Sequence, residues 1–566
     1  MMKPSEQLAT IVETDVLIVG GGLAGLNAAI AAGENGARVV AVDKAGINRS
    51  GAMGGGIDHF AAYLETGPEW DTREGYLEHL WQVGKGGVNL SVHNAVYCRE
   101  LKAAIARMAR IGNPLTQPDG TFYRTQSLGR PGPLSINFDG RNLKPKLAKE
   151  ARRLGTRALE KAMATDLLMR DGHVAGAMCF DIRTGEFIVV RARATILSTG
   201  RVDRLFESPT GNSFNTWMCP ADTGGAQAMA FRAGAALANM EYAQVTVVPK
   251  GFSAPGLNAL TGMGGRFVNA LGEEFMTHYH PLGNRAPRFK MAQGVLTELR
   301  EGRGPVVLDC RHLPATALEH LNKTLGYDKS TLPDFLRAKG VDLATQPVEV
   351  MVSEGLLGGP VDALGSGIMI DETSASTLPG LFAAGDCTDQ ASNCSASVTS
   401  GYAAGRDAAK YASSVAALVD VDWAQVAAGM EQVLSPIQRK ADVHYRELED
   451  VLQKIMWQYV GPARSELGLK YALQKLDSLT PHLDDIGARD FHEVMRANEV
   501  RDLLLIGKIM ATTALYRQES RFGVHHYRVD YPNPDDQNWL GLVVANRNGD
   551  RIDTSFRPLP YEMPAP

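Results

Sequence analysis

Three closely spaced glycines, Gly20, Gly22 and Gly25, have the clearest chemical implication in this chain. They follow an apolar run, residues 14–19, that is typical of a buried strand, and they precede small and apolar residues, 26–32, that are typical of a helix. In such a unit the glycines permit a tight turn, a close approach to a pyrophosphate and close packing of helix on strand. The helix N-terminus faces the phosphates with free N–H groups. The pattern predicts a dinucleotide site; a glycine-rich turn without a ligand is the alternative.

A second strand ends in an acidic residue at the position where a ribose would lie. Residues 37–42 are mostly apolar and lead to Asp43, which lies 18 residues after Gly25. A carboxylate there can accept hydrogen bonds from a ribose diol. We therefore expect the nucleotide to contact the glycines and four further residues, Leu23, Ala24, Asp43 and Lys44.

Two later segments favour FAD over NAD as the nucleotide. Residues 189–200 are typical of a strand that ends in Ser-Thr-Gly, and residues 378–386 of a strand that ends in Gly-Asp. Both resemble late elements of flavoproteins of the two-dinucleotide-binding type, where the aspartate would face a polyol such as ribitol. An aspartate that only caps a turn is the alternative. No second GxGxxG follows a strand, so no separate NAD(P)H domain is expected. The flavin contacts expected from these segments are Thr199, Gly200, Gly385 and Asp386.

Further motifs occur in a fixed order along most of the chain. They are residues 48–56 (NRSGAMGGG), 223–235 (TGGAQAMAFRAGA), 240–241 (ME), 269–276 (NALGEEFM), 517–521 (RQESR), 526–532 (HYRVDYP) and 535–539 (DDQNW). From residue 12 to about 550 the chain thus resembles the flavoprotein subunits of succinate dehydrogenase, fumarate reductase, L-aspartate oxidase and adenylylsulfate reductase. The resemblance implies an FAD-dependent oxidoreductase.

The resemblance assigns residues 48–56 to the flavin, with Ser50, Gly51, Gly54 and Gly55 as contacts. In relatives that attach FAD covalently, a histidine follows the serine of this loop, but here that position is Gly51. Without an imidazole the 8α-histidyl bond cannot form there, so we predict noncovalent FAD.

A Ser/Thr-rich segment, residues 395–401 (SASVTSG), precedes an Ala-rich helix predicted over residues 402–412. A Ser/Thr-capped helix start aimed at the flavin would stabilise its reduced, anionic form. The expected contacts are Ser397 and Val398, and an ordinary helix cap is the alternative.

The substrate end departs from the dicarboxylate enzymes of the family. Those enzymes use two arginines and two histidines. Here Arg288 matches one arginine and Asn393 falls near the place of the other, while Thr246 and Val350 fall near the places of the two histidines. A C4 dicarboxylate carries two charges that need compensating cations once they leave water. Succinate, fumarate and aspartate are therefore not expected as substrates. We expect Arg288 to clamp or polarise an oxyanion beside the flavin; alternatively, it caps the helix that begins there.

Four histidines are further candidates for chemistry. One of His525 and His526 is expected to approach the flavin or the substrate, with packing or a backbone hydrogen bond as the alternative. His278 and His280 form an HxH pair without an apparent third ligand, so no metal site is expected.

In finer detail the chain most resembles the adenylylsulfate reductase branch. Residues 135–145 (SINFDGRNLKP) resemble that branch's loop before a long helix, and the flavin loop without histidine is also shared. However, residues 524–526 (VHH) replace an aromatic run usual there. We expect a relative with a changed pocket.

The predicted fold is α/β, with a Rossmann-like FAD domain of the two-dinucleotide-binding type, an inserted α+β capping domain and a C-terminal helical domain. The predicted boundaries are 12–235 with 365–415 for the FAD domain, 236–364 for the capping domain, 416–515 for the helical domain and 516–566 for a Pro-rich tail. Two glycine-rich segments, residues 251–265 and 355–367, are the expected hinges.

Composition limits the classes of partner and compartment. With 44% apolar residues and a net charge of −5, the 566 residues suit globular domains and give no sign of a nucleic-acid partner. The six cysteines include no CxxC pair, so iron–sulfur and zinc ligation within the chain are not expected. Residues 1–10 are polar and no run of 18 apolar residues occurs, which favours a cytoplasmic protein without a membrane segment.

Three functions remain open from the sequence. The first is a catalytic flavin subunit that acts on a small anionic substrate and exchanges electrons with a separate ferredoxin-like iron–sulfur subunit. The second is a standalone dehydrogenase, oxidase or reductase of an aromatic or unsaturated carboxylate. The third is an electron-transfer subunit without substrate chemistry. Either homo- or hetero-oligomers are compatible with these functions.

Overall fold

The computed structural model describes residues 9–126, 130–254, 256–325, 331–359, 364–390, 393–439 and 443–565. Residues 1–8 and parts of both expected hinges, at residue 255 and at residues 360–363, lie outside the described residues.

The first part of the chain alternates strands and helices. Its elements are β1 (Ala9–Val19), α1 (Leu23–Glu34), β2 (Val39–Asp43), β3 (His59–Ala61), α2 (Arg73–Gly84), α3 (Leu90–His93), α4 (Arg99–Arg110), β4 (Arg124–Thr125), β5 (Ser135–Asn137), α5 (Leu143–Arg153), β6 (Arg157–Glu160), β7 (Ala162–Arg170), β8 (His173–Asp181), β9 (Phe187–Leu197) and α6 (Gly225–Ala233).

The described residues in the middle of the chain form short strands and several helices. They are β10 (Leu237–Ala238), β11 (Ala243–Gln244), β12 (Val247–Pro249), α7 (Leu257–Gly262), β13 (Arg266–Val268), α8 (Arg288–Arg300), β14 (Val306–Asp309), α9 (Ala315–Leu325), α10 (Thr331–Ala338), β15 (Val348–Val352), β16 (Leu356–Leu357) and β17 (Gly367–Ile368).

The last part is mostly helical and ends in two strands. Its elements are β18 (Leu381–Ala383), α11 (Cys394–Ser414), α12 (Trp423–Gln438), α13 (Tyr445–Ile455), α14 (Glu466–Leu479), α15 (Phe491–Tyr516), α16 (Asp536–Trp539), β19 (Gly541–Asn548) and β20 (Arg551–Pro558).

A seven-stranded sheet positions the glycine motif. Its strands run in the order β6-β2-β1-β9-β8-β7, with β18 also paired to β9. The pairs β6–β2, β2–β1 and β1–β9 are parallel. The pairs β9–β8 and β8–β7 are antiparallel. The end of β1 pairs with Val39–Val42 on one side and with Ala194–Leu197 on the other. Because parallel strands end together, the turns after β1, β2, β9 and β18 meet at one edge of the sheet.

The region expected to form a cap has a core of its own. A four-stranded sheet, β12-β15-β14-β13, packs with α7, α8 and α10 around an apolar cluster that spans Val245 to Val352. Val524, far along the chain, joins this cluster. We call residues 245–352 the cap; β11 and β16, which pair antiparallel, stand at its two ends.

Part of the Pro-rich tail predicted over residues 516–566 forms regular β structure, which the sequence analysis did not anticipate. Strands β19 and β20 form a hairpin whose first strand pairs with β10, which in turn pairs with β17. The reason lies in β19, where residues Gly541–Ala545 are buried against the body of the protein. The tail therefore supplies two of the four strands of the sheet β17-β10-β19-β20.

Candidate flavin site and comparisons with known proteins

A cavity of about 1140 Å³, counted to its open mouth, lies at the edge of the large sheet. Twelve of the predicted contacts line it, namely Gly20, Gly22, Leu23, Ala24, Asp43, Lys44, Ser50, Gly51, Thr199, Gly200, Asp386 and Ser397. The other five predicted contacts do not line it, namely Gly25, Gly54, Gly55, Gly385 and Val398. The predicted contacts that line the cavity come from six separate segments of the chain, which the structure brings together.

The glycine turn has the geometry expected for a phosphate site. Gly20 has a φ of +101°, a left-handed conformation that a side chain would strain. A β-carbon on Gly25 would lie 1.9 Å from the Gly20 carbonyl oxygen, so only glycine allows α1 to start so close to the turn. Gly22 stands at the N-cap of α1 without a capping side chain. The first N–H groups of α1 are thus left for an anion.

The carboxylate of Asp43 is engaged by the backbone of its own site. It accepts hydrogen bonds from the N–H groups of Gly21, at 2.7 Å, and Ala45, at 2.7 Å. A carboxylate offers about four acceptor positions, so positions remain for the hydroxyls of a ribose. The neighbouring Lys44 donates to the Ala221 carbonyl, at 2.7 Å, and pairs with Glu499, at 2.8 Å. No sequence pattern indicated this pairing, which reaches into α15.

Gly51 lies on the cavity wall with a φ of +77°. A β-carbon there would lie 3.4 Å from the Cα of Gly22, so the flavin loop packs closely against the glycine turn. The loop conformation thus favours glycine at the position where some relatives carry a histidine.

Asp386 faces the cavity together with an arginine that the sequence analysis missed. Arg201 Nε donates to Asp386 Oδ2 at 2.6 Å, and both side chains line the cavity. Ser397 Oγ donates to the other oxygen at 3.3 Å. Arg201 directly follows the predicted contact Gly200, so its position after the Ser-Thr-Gly turn was the available signal. Other lining residues that the analysis missed include Ala162, Met163 and Ala164 on β7 and Asp222 before α6.

Helix α11 begins earlier than the sequence suggested. It starts at Cys394, so the segment 395–401 forms its first two turns rather than preceding it. The cap is Asn393, whose side chain accepts from the N–H of Ala396 at 2.8 Å. The hydroxyls of Thr399 and Ser400 bond to carbonyls inside the helix, which lets these residues lie within it. Asn393 and Ser397 are among the residues that line the cavity.

Arg288 is the first residue of α8 and its side chain is exposed. It does not line the described cavity. The next residue, Phe289, packs against His525 with ring centroids 5.9 Å apart and against Phe522 at 6.4 Å. Phe522 in turn contacts Tyr242 and belongs to the apolar cluster that contains the start of α11. The beginning of α8 is thereby held close to the flavin-binding part of the molecule.

The adjacent histidines are both buried. His525 Nε2 lies 3.3 Å from the Val245 carbonyl oxygen, at the start of the cap. His526 Nδ1 lies 2.8 Å from Arg464, and burial together with three neighbouring arginines lowers its pKa well below the usual value. His526 is therefore neutral, and the Arg464 guanidinium donates to Nδ1. Neither histidine lines the cavity among the residues that the structure describes.

Thr246 and Val350, the positions that the resemblance matched to substrate histidines, lie next to and within the cap sheet. The N–H of Thr246 donates to Ser353 Oγ at 3.1 Å, and Val350 is a buried residue of β15. Nearby, the buried Glu354 accepts from the N–H of Trp217 at 2.7 Å and from Ser253 Oγ at 2.6 Å. Burial raises the pKa of Glu354, which favours its protonated form. This stretch therefore offers neutral rather than cationic groups.

Comparison with known proteins agrees with this geometry. The model of the FAD binding domain family matches residues 15–405, and that of the fumarate reductase flavoprotein C-terminus matches residues 449–565. One subunit of the fumarate reductase (CoM/CoB) of Methanothermobacter marburgensis is 30% identical over 577 residues, covering 94% of this chain and 97% of that protein. The L-aspartate oxidase of Streptomyces coelicolor is 29% identical over 585 residues, covering 95% and 92%.

Solved structures show the same fold. The adenylylsulfate reductase of Archaeoglobus fulgidus superposes with a TM-score of 0.88 at 24% identity, over 99% of this chain and 98% of that chain. Sdh1 of Mycobacterium smegmatis in complex with UQ1 gives 0.79 at 26% identity, over 98% and 96%. No helix within the described ranges is long and apolar enough to cross a bilayer. The chain belongs to the FAD-binding flavoprotein family of fumarate reductase and succinate dehydrogenase and is an FAD-dependent oxidoreductase.

Proposed function

We propose that this protein transfers electrons between its FAD and a small, singly charged anion that binds at the N-terminus of α8. The observation that carries the proposal is the first turn of that helix. It holds two cations, Arg288 and Lys290, and no acidic residue. Among the described residues neither cation has a carboxylate partner; the Lys290 ammonium donates only to Gln293 Oε1, at 3.2 Å.

This arrangement is electrostatically unfavourable without a ligand. The N-terminus of a helix carries positive partial charge, so cations there destabilise the helix. Burial also lowers the pKa of Lys290. An anion between the two side chains and the helix end would interact favourably with all three positive groups and offset part of their repulsion. We therefore assign Arg288 to substrate binding and add Lys290 as a second contact.

The residues at the cavity fit FAD, and different residues would bind different parts of it. The free N–H groups at Gly22, Leu23 and Ala24 would bind the diphosphate, and Asp386 with Arg201 would bind the ribityl chain. FAD supplies reversible two-electron chemistry at its ring when bound. Asn393 and Ser397, which also line the cavity, present neutral hydrogen-bonding groups to it. The neutral His526 positions Arg464 rather than acting as a cation for the substrate.

A singly charged substrate fits better than a dicarboxylate. Thr246, Val350 and Asn393 are uncharged at positions where the resemblance implies cations in the dicarboxylate enzymes. A second carboxylate would find no cation at these three positions to compensate its charge once it leaves water, which costs several kcal/mol. We propose a monocarboxylate or a similar anion, and do not propose succinate, fumarate or aspartate.

The electrons are proposed to pass to or from a separate iron–sulfur protein. The support is the resemblance of the chain to flavoprotein subunits, together with the name of the Methanothermobacter relative, which is that of one subunit of a larger reductase. The Streptomyces relative is named an oxidase, which keeps a standalone enzyme as the second candidate.

The test is an anaerobic titration of the flavin spectrum with a substrate panel. Photoreduced protein is mixed with unsaturated monocarboxylates and with fumarate, and oxidised protein with saturated monocarboxylates and with succinate. We expect a spectral change with a monoanion only. Arg288→Gln and Lys290→Gln should each weaken that anion's apparent affinity roughly tenfold or more. Arg300→Gln, at the exposed far end of α8, is the matched control and should leave the affinity unchanged.

Other outcomes would contradict specific parts of the proposal. Turnover of fumarate or succinate would refute the single-charge assignment. Equal effects of the Arg288 and Arg300 variants would refute the site at α8. A flavin that no compound in the panel changes, although a reduced ferredoxin reduces it, would identify an electron-transfer subunit without substrate chemistry. Reoxidation by O₂ during turnover, with no copurifying iron–sulfur protein, would favour the standalone enzyme.

A further inference from the structure

A lysine is buried directly beneath the glycine turn. Lys144 lies in the first turn of α5 and is 1% exposed, and its ammonium donates to the carbonyl oxygen of Gly21. No sequence motif pointed to Lys144 as a contact, and it does not line the cavity. A buried lysine whose one hydrogen-bond acceptor is a backbone carbonyl needs an explanation, because burying an ammonium is costly.

The Gly21 peptide groups are held from two sides. On one side the Asp43 carboxylate accepts the Gly21 N–H at 2.7 Å. On the other side the Gly21 carbonyl accepts from Lys144 and, at 3.3 Å, from Ser50 Oγ in the flavin loop. Three separate segments, β2, α5 and the flavin loop, thus converge on one glycine of the turn.

The carbonyl of Gly21 and the N–H of Gly22 belong to the same peptide plane. In a trans peptide these two groups point to opposite sides. An ammonium that fixes the carbonyl on the α5 side therefore fixes the Gly22 N–H on the cavity side. Gly22 lines the cavity, and its N–H has no acceptor among the described residues.

We propose that Lys144 is a positioning residue for FAD: by holding the Gly21 carbonyl it aims the Gly22 N–H at the FAD diphosphate, and it places a positive charge behind that group. The side chain acts through the backbone and not by touching the cofactor. The inference rests on FAD occupying the cavity, and it is independent of the substrate.

The setting of Lys144 supports a role in binding an anion. The first turn of α5 has no acidic residue, so the helix gains nothing from a cation there. Burial lowers the pKa of Lys144 to about 8, with the charge of Asp43 partly opposing the shift. A bound diphosphate would stabilise the ammonium, so FAD binding and protonation of Lys144 favour each other. FAD affinity should be complete below pH 8 and should fall as the pH rises above it.

The experiment measures the dissociation constant of FAD from the purified full-length protein, by the rise in flavin fluorescence on release, over a pH series. Lys144→Met removes the donor and the charge, whereas Lys144→Arg keeps both but does not titrate in this range. Lys149→Met, an exposed position of the same helix, is the matched control. We expect Lys144→Met to raise the constant roughly tenfold or more at neutral pH.

The pH profile separates positioning from mere packing. The wild type and the Lys149 variant should bind FAD more weakly above pH 8, whereas both Lys144 variants should show a flat profile. The proposal would be overturned if the Lys144 variants also bound FAD more weakly above pH 8. It would equally be overturned if Lys144→Met bound FAD as tightly as Lys149→Met. If Lys144→Met does not fold, the profile of Lys144→Arg against the wild type decides alone. None of these measurements uses a substrate, so their failure is distinguishable from that of the proposed function.

Discussion

Gly51 decides how the flavin is retained. The 8α-histidyl bond of some relatives needs an imidazole in this loop, and here a left-handed glycine occupies the position. The described residues that line the cavity include no histidine, cysteine or tyrosine. No side chain that normally bonds to the flavin ring is therefore in place.

We expect denaturation to release all of the FAD. The purified yellow protein is unfolded in acid or guanidinium and filtered, and the flavin in the filtrate is identified and compared with the flavin that stays with the chain. Free, unmodified FAD in the filtrate is the expected result. Flavin that remains on the denatured chain would show a covalent bond and would contradict the prediction.

At the scale of elements, the contact between α1 and α11 supports the cofactor site from behind. Gly401 and Gly405 of α11 face α1, where added β-carbons would lie 2.3 Å from the Ala24 carbonyl oxygen and 2.2 Å from that of Ala28. Backbone atoms cannot move aside as a flexible side chain can. The two helices touch backbone to backbone, and this approach sets the distance between the glycine turn and the start of α11.

Gly405→Ala should therefore destabilise the protein, although alanine is the better helix former. Overpacking of this kind costs roughly 1–3 kcal/mol, which exceeds the propensity gain of about 1 kcal/mol. We expect a lower thermal midpoint and weaker FAD retention, measured by calorimetry and by flavin fluorescence.

Gly507→Ala in α15 is the control for this substitution. Its β-carbon would meet the flexible Met456 thioether at 3.2 Å rather than a backbone atom. A neutral or slightly stabilising effect is expected there. Equal midpoints for the two variants would show that the α1–α11 contact is looser than described.

At the scale of the whole molecule, Glu499 ties the helical part to the flavin-binding part. Its carboxylate pairs with Lys44 at 2.8 Å, with Arg204 at 2.9 Å and with Arg496 at 2.7 Å. Burial opposes ionisation, but the charges of these three cations outweigh it and hold the pKa of Glu499 well below its usual value.

Glu499→Gln should be strongly destabilising at neutral pH, by roughly 3–5 kcal/mol, because it leaves buried cations uncompensated. A carboxyl with a depressed pKa contributes its stability above the ordinary pKa, near 4.5, and loses it as the pH falls further. The difference between variant and wild type in urea unfolding should therefore shrink below that pH. Glu466→Gln, in an exposed pair with Lys470, should cost less than about 1 kcal/mol. Similar losses in both variants would contradict this account.

The sequence was most informative at positions where the backbone conformation itself requires glycine. Gly20, Gly22 and Gly25 identified the nucleotide turn because glycine spacing there reflects a steric requirement. Residues that act through long-range partners were not predictable. Arg201 faces Asp386 across 185 positions of sequence, and the bond from Lys144 to Gly21 spans 123, and neither pair forms a local pattern. The hairpin of β19 and β20 was also missed, since a strand is stabilised only by partners such as β10.

The cap is joined to the rest of the protein by two neighbouring strands. Ala243 pairs with Leu357 and Gln244 with Leu356, so the chain enters and leaves the cap at almost the same place. An insertion with adjacent ends behaves as an exchangeable module, because its replacement leaves the host sheet intact. Under the proposed function, in which FAD binds at the cavity and the substrate at α8, flavin retention and substrate range are governed by different parts of the chain. Exchange of residues 245–352 for another cap that packs equally well against Val524 would then alter what is oxidised or reduced, while the same cofactor site is kept.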